Sequence, residues 1–194
     1  MALAAAPLGL KCHIFAPKGD NPAFDVAAQR TEALYEDEAA LAAFARSVAV
    51  VTYEFENVPC ETAQFLQSLK PVFPPARALE VSQDRLTEKE FLQGLGIATP
   101  RFQSASTEAE LVEACETLSL PCIAKTRRLG YDGKGQVRID TMREISQAWK
   151  TLKGAPLLVE GFVPFSRELS VIATRDQQGT IVTYPLSCND HIDG

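Results

Sequence analysis

The sequence predicts an α/β protein whose first half is a doubly wound sheet, meaning parallel strands with helices on both faces. The main observation is an alternation of helical periodicity and short apolar segments, in the order α-β-α-β-α, over residues 2–69. A second observation is VAVVT at residues 48–52, because a short continuous apolar run is typical of a strand buried on both faces of a parallel sheet. The second half differs, since a basic glycine-rich loop lies between two predicted strands there.

The first half is predicted to contain three helices and two strands, followed by a proline-rich connector. The helices cover residues 2–10, 37–44 and 59–69, and the strands cover residues 11–15 and 48–52. Pro59 suits the first turn of its helix, where a backbone N–H has no partner within the helix. The segment PVFPPARAL, residues 71–79, is a candidate boundary, and Ser82 is predicted to cap a helix that ends at Gly94.

The second half is predicted to contain two helices and five strands. The helices cover residues 107–118 and 142–152, and the strands cover residues 122–126, 136–140, 157–160, 167–174 and 180–186. Ser106 or Thr107 is expected to cap the first of these helices. The turn DQQG joins the last two strands, which are therefore predicted to be antiparallel.

The composition indicates a globular protein and excludes two classes of partner. Of the 194 residues, 46% are hydrophobic, and the net charge of −6 opposes non-specific binding of nucleic acid, which needs clustered positive charge. No apolar segment is long enough to span a bilayer, and the opening MALAAAPLGL lacks the basic residues that begin a secretory signal. We therefore expect a cytoplasmic protein with no nucleic-acid or membrane partner.

Five cysteines are scattered along the chain, namely Cys12, Cys60, Cys115, Cys122 and Cys188. No two of them have the spacing of metal ligands, and their number is odd. We interpret them as the reduced thiols of a cytoplasmic protein rather than as a redox or metal site.

A glycine-rich loop, residues 130–135 with the sequence GYDGKG, is the strongest candidate ligand site. Its three glycines allow close approach and positive φ, and backbone N–H groups freed in this way can cradle an anion. Lys134 lies within the loop, and Lys125 lies on the preceding strand, with Arg127 and Arg128 close by. The Walker A and Rossmann glycine motifs join a strand to a helix, whereas these glycines join two strands, which predicts a flap over phosphates. The alternative is an ordinary hairpin with a solvated basic tip.

Three charged residues around the loop favour a nucleotide site. Lys125 precedes the loop, Glu160 ends a later strand, and Glu168 opens the strand after that. A lysine suits phosphates, a strand end can face adenine, and a carboxylate can accept hydrogen bonds from ribose hydroxyls. Glu168 alone would be interpreted as a solvated edge residue, but the three together predict a clamp for ATP.

Five segments occur in an order that is typical of one enzyme family: VTYEFENVP, QDRLTEKEFLQGLGI, AKTRRLGYDGKGQ, VEGFVPFSRELSVIATR and YPLSCNDHIDG. Their order resembles the ATP-grasp fold, and more narrowly the 5-(carboxyamino)imidazole ribonucleotide synthases of purine biosynthesis. The resemblance implies a ligase that transfers the ATP γ-phosphate to bicarbonate and carboxylates 5-aminoimidazole ribonucleotide, with release of ADP and phosphate. It also implies Mg²⁺ as a cofactor and a homodimer.

The resemblance implies a division into three parts. Residues 1–80 would be a Rossmann-like pre-ATP-grasp domain that lacks its first strand. Residues 81–165 would contain linker helices and the lid subdomain with its glycine flap, and residues 166–194 would begin the C-terminal antiparallel sheet. The family's opening GxGQLGRM turn and its later acidic Mg²⁺ ligands have no counterpart in this sequence. We therefore expect a fragment truncated at both ends, with no metal ligands and no turnover of its own.

The resemblance also assigns residues by motif. The residues assigned to ATP are Arg85, Lys125, Gly130, Tyr131, Asp132, Gly133, Lys134, Gly135, Gln136, Glu160, Gly161, Phe162, Val163, Glu168 and His191. Within this set, the strand end at residues 160–163 would bind adenine through its backbone, and Glu168 would bind the ribose. The residues assigned to catalysis are Tyr131, Asp132, Lys134 and His191. Arg85 could otherwise be a helix-surface residue, and His191 a solvated residue near the chain end.

Two carboxylates in the first half are candidates for binding the ribonucleotide. Glu54 and Glu56 follow the predicted strand at residues 48–52, and ligands of doubly wound sheets bind beyond the carboxyl ends of the strands. The alternative for each is a capping or solvated role, and His13 is interpreted only as a strand histidine. Two other functions remain open at this point: another ATP-grasp ligase, related to glycinamide ribonucleotide synthetase or biotin carboxylase, and a non-catalytic nucleotide-binding module.

Overall fold

The structure is a computed structural model that describes residues 1–19, 21–130 and 134–190. The chain divides into two compact units, Met1–Leu95 and Gly96–Gly194. Each unit buries its own apolar side chains. Within the described residues, no helix combines the length and the apolar character that a membrane crossing requires.

Within residues 1–19 and 21–95, the structure describes five α-helices and two strands. The helices are α1 (Ala2–Ala5), α2 (Glu38–Ser47), α3 (Cys60–Leu69), α4 (Ala76–Ser82) and α5 (Arg85–Gly94), and the strands are β1 (His13–Ala16) and β2 (Gln29–Glu32). Short 3₁₀ helices cover Ala6–Leu8 and Pro22–Val26. Strands β1 and β2 are parallel, and a single parallel bridge joins Val51 to Val72.

The core of the first unit lies between its helices and these strands. Helix α2 begins after Asp37, whose carboxylate accepts a hydrogen bond from the Ala40 N–H at 2.9 Å. Leu41 and Phe44 on the apolar face of α2 then pack with Leu66 of α3. Helical spacing therefore brings these side chains to one buried face, as the sequence predicts.

Three predictions for the first unit are wrong. The segment predicted as a strand buried on both faces, residues 48–52, forms one parallel bridge, in which the Val51 backbone bonds to Pro71 and Phe73, and Val50 beside it is 51% exposed. Helix α4 begins at Ala76, within the predicted proline-rich connector, and extends past its end at residue 79. The helix expected to start at Ser82 starts at Arg85, because the buried Asp84 carboxylate accepts hydrogen bonds from the backbone N–H groups of the first turn. Strand β2 is not predicted at all.

The second unit contains a four-stranded antiparallel sheet with two helices. Its strands are β3 (Phe102–Ala105), β4 (Cys122–Thr126), β5 (Gln136–Ile139) and β6 (Leu157–Gly161), and its helices are α6 (Glu108–Leu118) and α7 (Ile145–Thr151). The strand order is β3-β6-β4-β5, so the glycine-rich loop joins neighbouring strands β4 and β5. The predicted strand at residues 122–126 and the cap at Thr107 are confirmed, whereas β3 is not predicted.

The core of the second unit lies between one face of this sheet and the two helices. Ala124 and Val159 from the sheet pack with Leu111 and Ala114 of α6 and Ala148 of α7. Because side chains alternate along a strand, the residues between these core positions lie on the other face. The predicted helix at residues 142–152 has a 3₁₀ first turn, Met142–Glu144, before α7.

Two small antiparallel sheets follow β6. The strands are β7 (Glu168–Ser170), β8 (Ala173–Arg175), β9 (Ile181–Thr183) and β10 (Ser187–Asn189). Strand β7 pairs with β10, and β8 pairs with β9. The first long strand predicted here, residues 167–174, is therefore broken into β7 and β8, whereas the second, residues 180–186, corresponds to the shorter β9, and β10 follows it. The predicted turn between them is confirmed, and the Asp176 carboxylate fixes it by accepting hydrogen bonds from the N–H groups of Gln178 and Thr180.

Candidate functional site

The face of the four-stranded sheet that turns away from the helices carries several of the predicted ligand residues. Strand pairing places Ile123 opposite both Arg138 and Glu160, and Lys125 opposite Gln136. Their neighbours Cys122, Ala124, Ile139 and Val159 are buried in the helix-packed core. Alternation along the strands therefore places Lys125, Gln136, Arg138 and Glu160 together on the opposite face.

An ion pair between Lys125 and Glu160 lies at the centre of this face. Lys125 Nζ donates to Glu160 Oε2 at 2.6 Å, and the two side chains are 26% and 7% exposed, respectively. The residues lie on adjacent strands, β4 and β6, although 35 positions separate them in the sequence. The structure therefore brings together two of the three charged residues from which a nucleotide clamp was predicted.

The glycine-rich loop begins next to this pair. Gly135 has φ +72°, and a Cβ added there would lie 2.7 Å from Thr126 Oγ1, so only glycine fits without a shift. Its carbonyl accepts a hydrogen bond from the Thr126 N–H at 2.8 Å, which closes the base of the loop. Gly130 and Lys134 are described, whereas Tyr131, Asp132 and Gly133, which lie between them in the sequence, lie outside the described residues.

Arg138 is a residue of this face that the sequence analysis missed. Its guanidinium stacks over the Phe162 ring, 4.4 Å from the ring centroid, and forms a bidentate pair with Asp140 at 2.7–3.1 Å. The sequence could have indicated this position, because side chains alternate along a strand. Arg138 therefore shares a face with Gln136, and Ile139 lies on the other face. Phe162, predicted to contact adenine, therefore has a fixed cationic neighbour.

Several backbone groups of the strand end predicted to bind adenine already form hydrogen bonds within the second unit. The Gly161 N–H donates to the Arg101 carbonyl at 2.9 Å, and the Phe162 N–H donates to the Pro121 carbonyl at 3.1 Å. The Val163 carbonyl accepts a hydrogen bond from Phe165. Backbone recognition of adenine would therefore fall to the remaining groups of residues 160–163, of which the Val163 N–H is one.

Glu168 and His191 come after the four-stranded sheet in the sequence. Glu168 begins β7, is exposed, and accepts a hydrogen bond at 3.2 Å from the side-chain amide of Asn189 on β10. The same amide group donates to Ser170 at 2.6 Å. His191 lies outside the described residues, so its assignment to phosphate and catalysis stays a prediction.

Arg85, Glu54 and Glu56 belong to the first unit. Arg85 is the first residue of α5 and is half-buried. Glu54 and Glu56 are exposed in the loop after Val51, where the Gln83 side chain donates to the Glu56 carbonyl at 2.8 Å. Glu54 also lines an apolar groove of about 610 Å³ in this unit. Both carboxylates follow the parallel bridge at Val51 rather than the full strand that was predicted, and their role toward a ribonucleotide stays a prediction.

The described cysteines and acidic residues do not assemble a metal centre. Across residues 1–19, 21–130 and 134–190, no three His, Cys, Asp or Glu side chains are grouped to hold an ion. All five cysteines are free thiols, and burial together with the nearby Cys122 raises the pKa of the Cys115 thiol to about 12. Cys115 is therefore a packing residue rather than a nucleophile. His13 lies on β1, as predicted, between the hydroxyls of Ser47 and Thr31.

Comparison with known proteins agrees with this architecture. Residues 90–194 match the ATP-grasp domain, and residues 1–83 match the ribonucleotide synthetase preATP-grasp domain. The N5-carboxyaminoimidazole ribonucleotide synthase of Brucella melitensis is 45% identical over 100% of this chain and 54% of that protein. The chain thus spans about half the length of such relatives.

Solved structures of the same kind of protein share the fold. The N5-carboxyaminoimidazole ribonucleotide synthetase of Thermus thermophilus aligns with a TM-score of 0.89 and 44% identity, over 100% of this chain and 52% of that one. The N5-carboxyaminoimidazole synthetase of Staphylococcus aureus, complexed with ADP, aligns with a TM-score of 0.93 and 34% identity, over 98% and 51% of the two chains. The predicted fold class and the resemblance are therefore confirmed, and the chain belongs to the ATP-grasp family.

Proposed function

We propose that the whole protein that carries this chain is an ATP-dependent carbon–nitrogen ligase. It carboxylates 5-aminoimidazole ribonucleotide with bicarbonate to 5-(carboxyamino)imidazole ribonucleotide, and it releases ADP and phosphate in purine biosynthesis. The observation that carries nucleotide binding is the Lys125–Glu160 pair on the sheet face next to the glycine-rich loop. The choice of 5-aminoimidazole ribonucleotide as the acceptor is supported by relatives that are N5-carboxyaminoimidazole ribonucleotide synthases and that align with both units of this chain.

The site residues have separate roles in this proposal. Phosphoryl transfer needs positioning and neutralisation of charge, which Lys125, Lys134 and Arg85 would supply at the phosphates. Glu168 would accept hydrogen bonds from the ribose hydroxyls. Glu54 and Glu56 would meet the ribonucleotide in the loop that follows the parallel bridge at Val51.

The remaining parts of the proposal concern the cofactor, the assembly and the compartment. Bicarbonate is the proposed second substrate, and Mg²⁺ would neutralise charge on the nucleotide phosphates. The described residues supply no group of ligands for that ion, so none of the residue roles proposed here involves it. We further propose a cytoplasmic homodimer without a nucleic-acid partner, in keeping with the five free thiols and the acidic net charge.

Calorimetric titration of this chain with ADP tests the nucleotide site. We expect Lys125→Met to weaken binding at least about tenfold, because a charge-assisted contact to phosphate contributes roughly 1.5–3 kcal/mol. The matched control is Lys150→Met, which removes an exposed ammonium from α7 and should leave the affinity unchanged. Equal affinity for ADP in the wild type and Lys125→Met would contradict the site.

An assay of the whole protein tests the reaction. ATP, bicarbonate and 5-aminoimidazole ribonucleotide should together yield ADP and a carboxylated ribonucleotide, detected by mass spectrometry. ADP release with glycinamide ribonucleotide or a biotin substrate instead would identify a different ATP-grasp ligase. ADP binding without turnover of any of these acceptors would indicate a non-catalytic nucleotide-binding module.

A further inference from the structure

We propose that Glu160 is a positioning residue whose carboxylate holds the Lys125 ammonium ready for the nucleotide phosphates. This inference rests on the proposed function, because it assumes that Lys125 meets a phosphate. It assigns the Glu160 side chain a role of its own, separate from the backbone contact with adenine that the family resemblance implies.

The geometry places the carboxylate as the fixed partner of the pair. Glu160 lies on β6, which is flanked by β3 on one side and β4 on the other, and its side chain is 7% exposed. Lys125 reaches it with a long side chain that is 26% exposed and would otherwise sample many rotamers. The 2.6 Å contact therefore restricts the ammonium to one position before any ligand arrives.

Charge alone predicts the opposite effect, and this contrast makes the proposal testable. A carboxylate beside Lys125 lowers the local positive potential, so an electrostatic effect on phosphate binding would be unfavourable. Removing that charge in Glu160→Gln would then tighten ADP binding. If Glu160 acts by ordering Lys125, the same substitution weakens ADP binding, because the ligand must then order the lysine itself.

The experiment is a double-mutant cycle on ADP affinity, measured calorimetrically with Glu160→Gln, Lys125→Met and the double variant of this chain. We expect Glu160→Gln to weaken ADP binding by about two- to tenfold, the range for one immobilised long side chain. In the Lys125→Met background the loss should disappear, and Glu160→Gln should leave ADP binding unchanged or somewhat tighter, because only the effect of the removed negative charge remains. Glu113→Gln, an exposed carboxylate on α6, is the control and should bind as the wild type does.

Each result supports or overturns the proposal. If Glu160 has only a general structural role, Glu160→Gln should weaken ADP binding by the same factor with and without Lys125. Such additive effects would overturn the inference. Unchanged or tighter ADP binding in the single variant Glu160→Gln would overturn it as well. If Glu160→Gln does not fold, Glu160→Asp replaces it. That variant keeps the charge but withdraws the carboxylate from Nζ, so wild-type affinity in a folded Glu160→Asp chain would also overturn the inference. A wild-type chain that binds no ADP overturns the nucleotide site of the proposed function together with this inference, whereas binding with no Lys125-dependent effect of Glu160 overturns the inference alone.

Discussion

Leu111 offers a quantitative test of the core that supports the candidate site. It lies on α6, is 0% exposed, and packs in the cluster between the two helices and the four-stranded sheet. Leu111→Ala removes buried apolar atoms and leaves a cavity, which costs about 3 kcal/mol within a range of about 2–5 kcal/mol. With a urea m-value of about 1.5 kcal/mol/M, the unfolding midpoint should fall by about 2 M.

Urea unfolding followed by tryptophan fluorescence measures this effect. Trp149 is the only tryptophan, and it packs against the same cluster as Leu111, so its emission reports on the second unit. Leu129→Ala is the matched control, because Leu129 belongs to the same unit but is 74% exposed and should shift stability by under about 0.5 kcal/mol. A Leu111→Ala midpoint within about 0.3 M of the wild type would show that α6 does not close this core.

Three further predictions concern a thiol, a helix cap and the loop. Burial keeps the Cys115 thiol protonated up to a pKa of about 12, against 9.0 for a free thiol, so its contribution to stability falls as pH rises above about 9. The stability advantage of the wild type over Cys115→Ala should therefore shrink by about 1.4 kcal/mol per pH unit, measured by urea unfolding between pH 9 and about pH 11; a constant difference would contradict it. Asp84→Ala should cost about 1 kcal/mol through lost capping of α5, with Asp84→Asn retaining most of the stability in thermal melts. Gly135→Ala should cost about 1–2 kcal/mol and weaken ADP binding, because of its positive φ and the contact with Thr126, while Gly94→Ala, which has open space around it, should be tolerated.

Local patterns predicted the second unit well. The segment CIAKT has two β-branched residues, small apolar residues and a turn-rich continuation, and it forms β4 at the predicted residues. Helix α6 begins after Thr107 because the Thr107 hydroxyl accepts the Glu110 N–H, a bond that the local sequence already indicates. These elements depend on neighbours within a few positions, so a single sequence contains the necessary information.

Strands that depend on pairing partners far away in the sequence were not predicted. Strand β2 has the sequence QRTE and is largely exposed, so nothing in its composition indicates a strand, and it is held by parallel pairing with β1. Strand β3 likewise depends on β6, whose residues lie more than 50 positions later in the chain. The opposite error occurred at residues 48–52, where the apolar run suggested a full strand and the structure forms one bridge.

The candidate site divides in the same way. The residue types of the site were predictable from the sequence: the glycines at residues 130–135, the lysine on the strand before them and the acidic residue at a later strand end. The contact of Lys125 with Glu160 at 2.6 Å and the stacking of Arg138 on Phe162 depend on the fold and were not predictable. The physical reason is strand order and register, because β6 inserts between β3 and β4 and this pairing depends on hydrogen bonds between segments far apart in the chain.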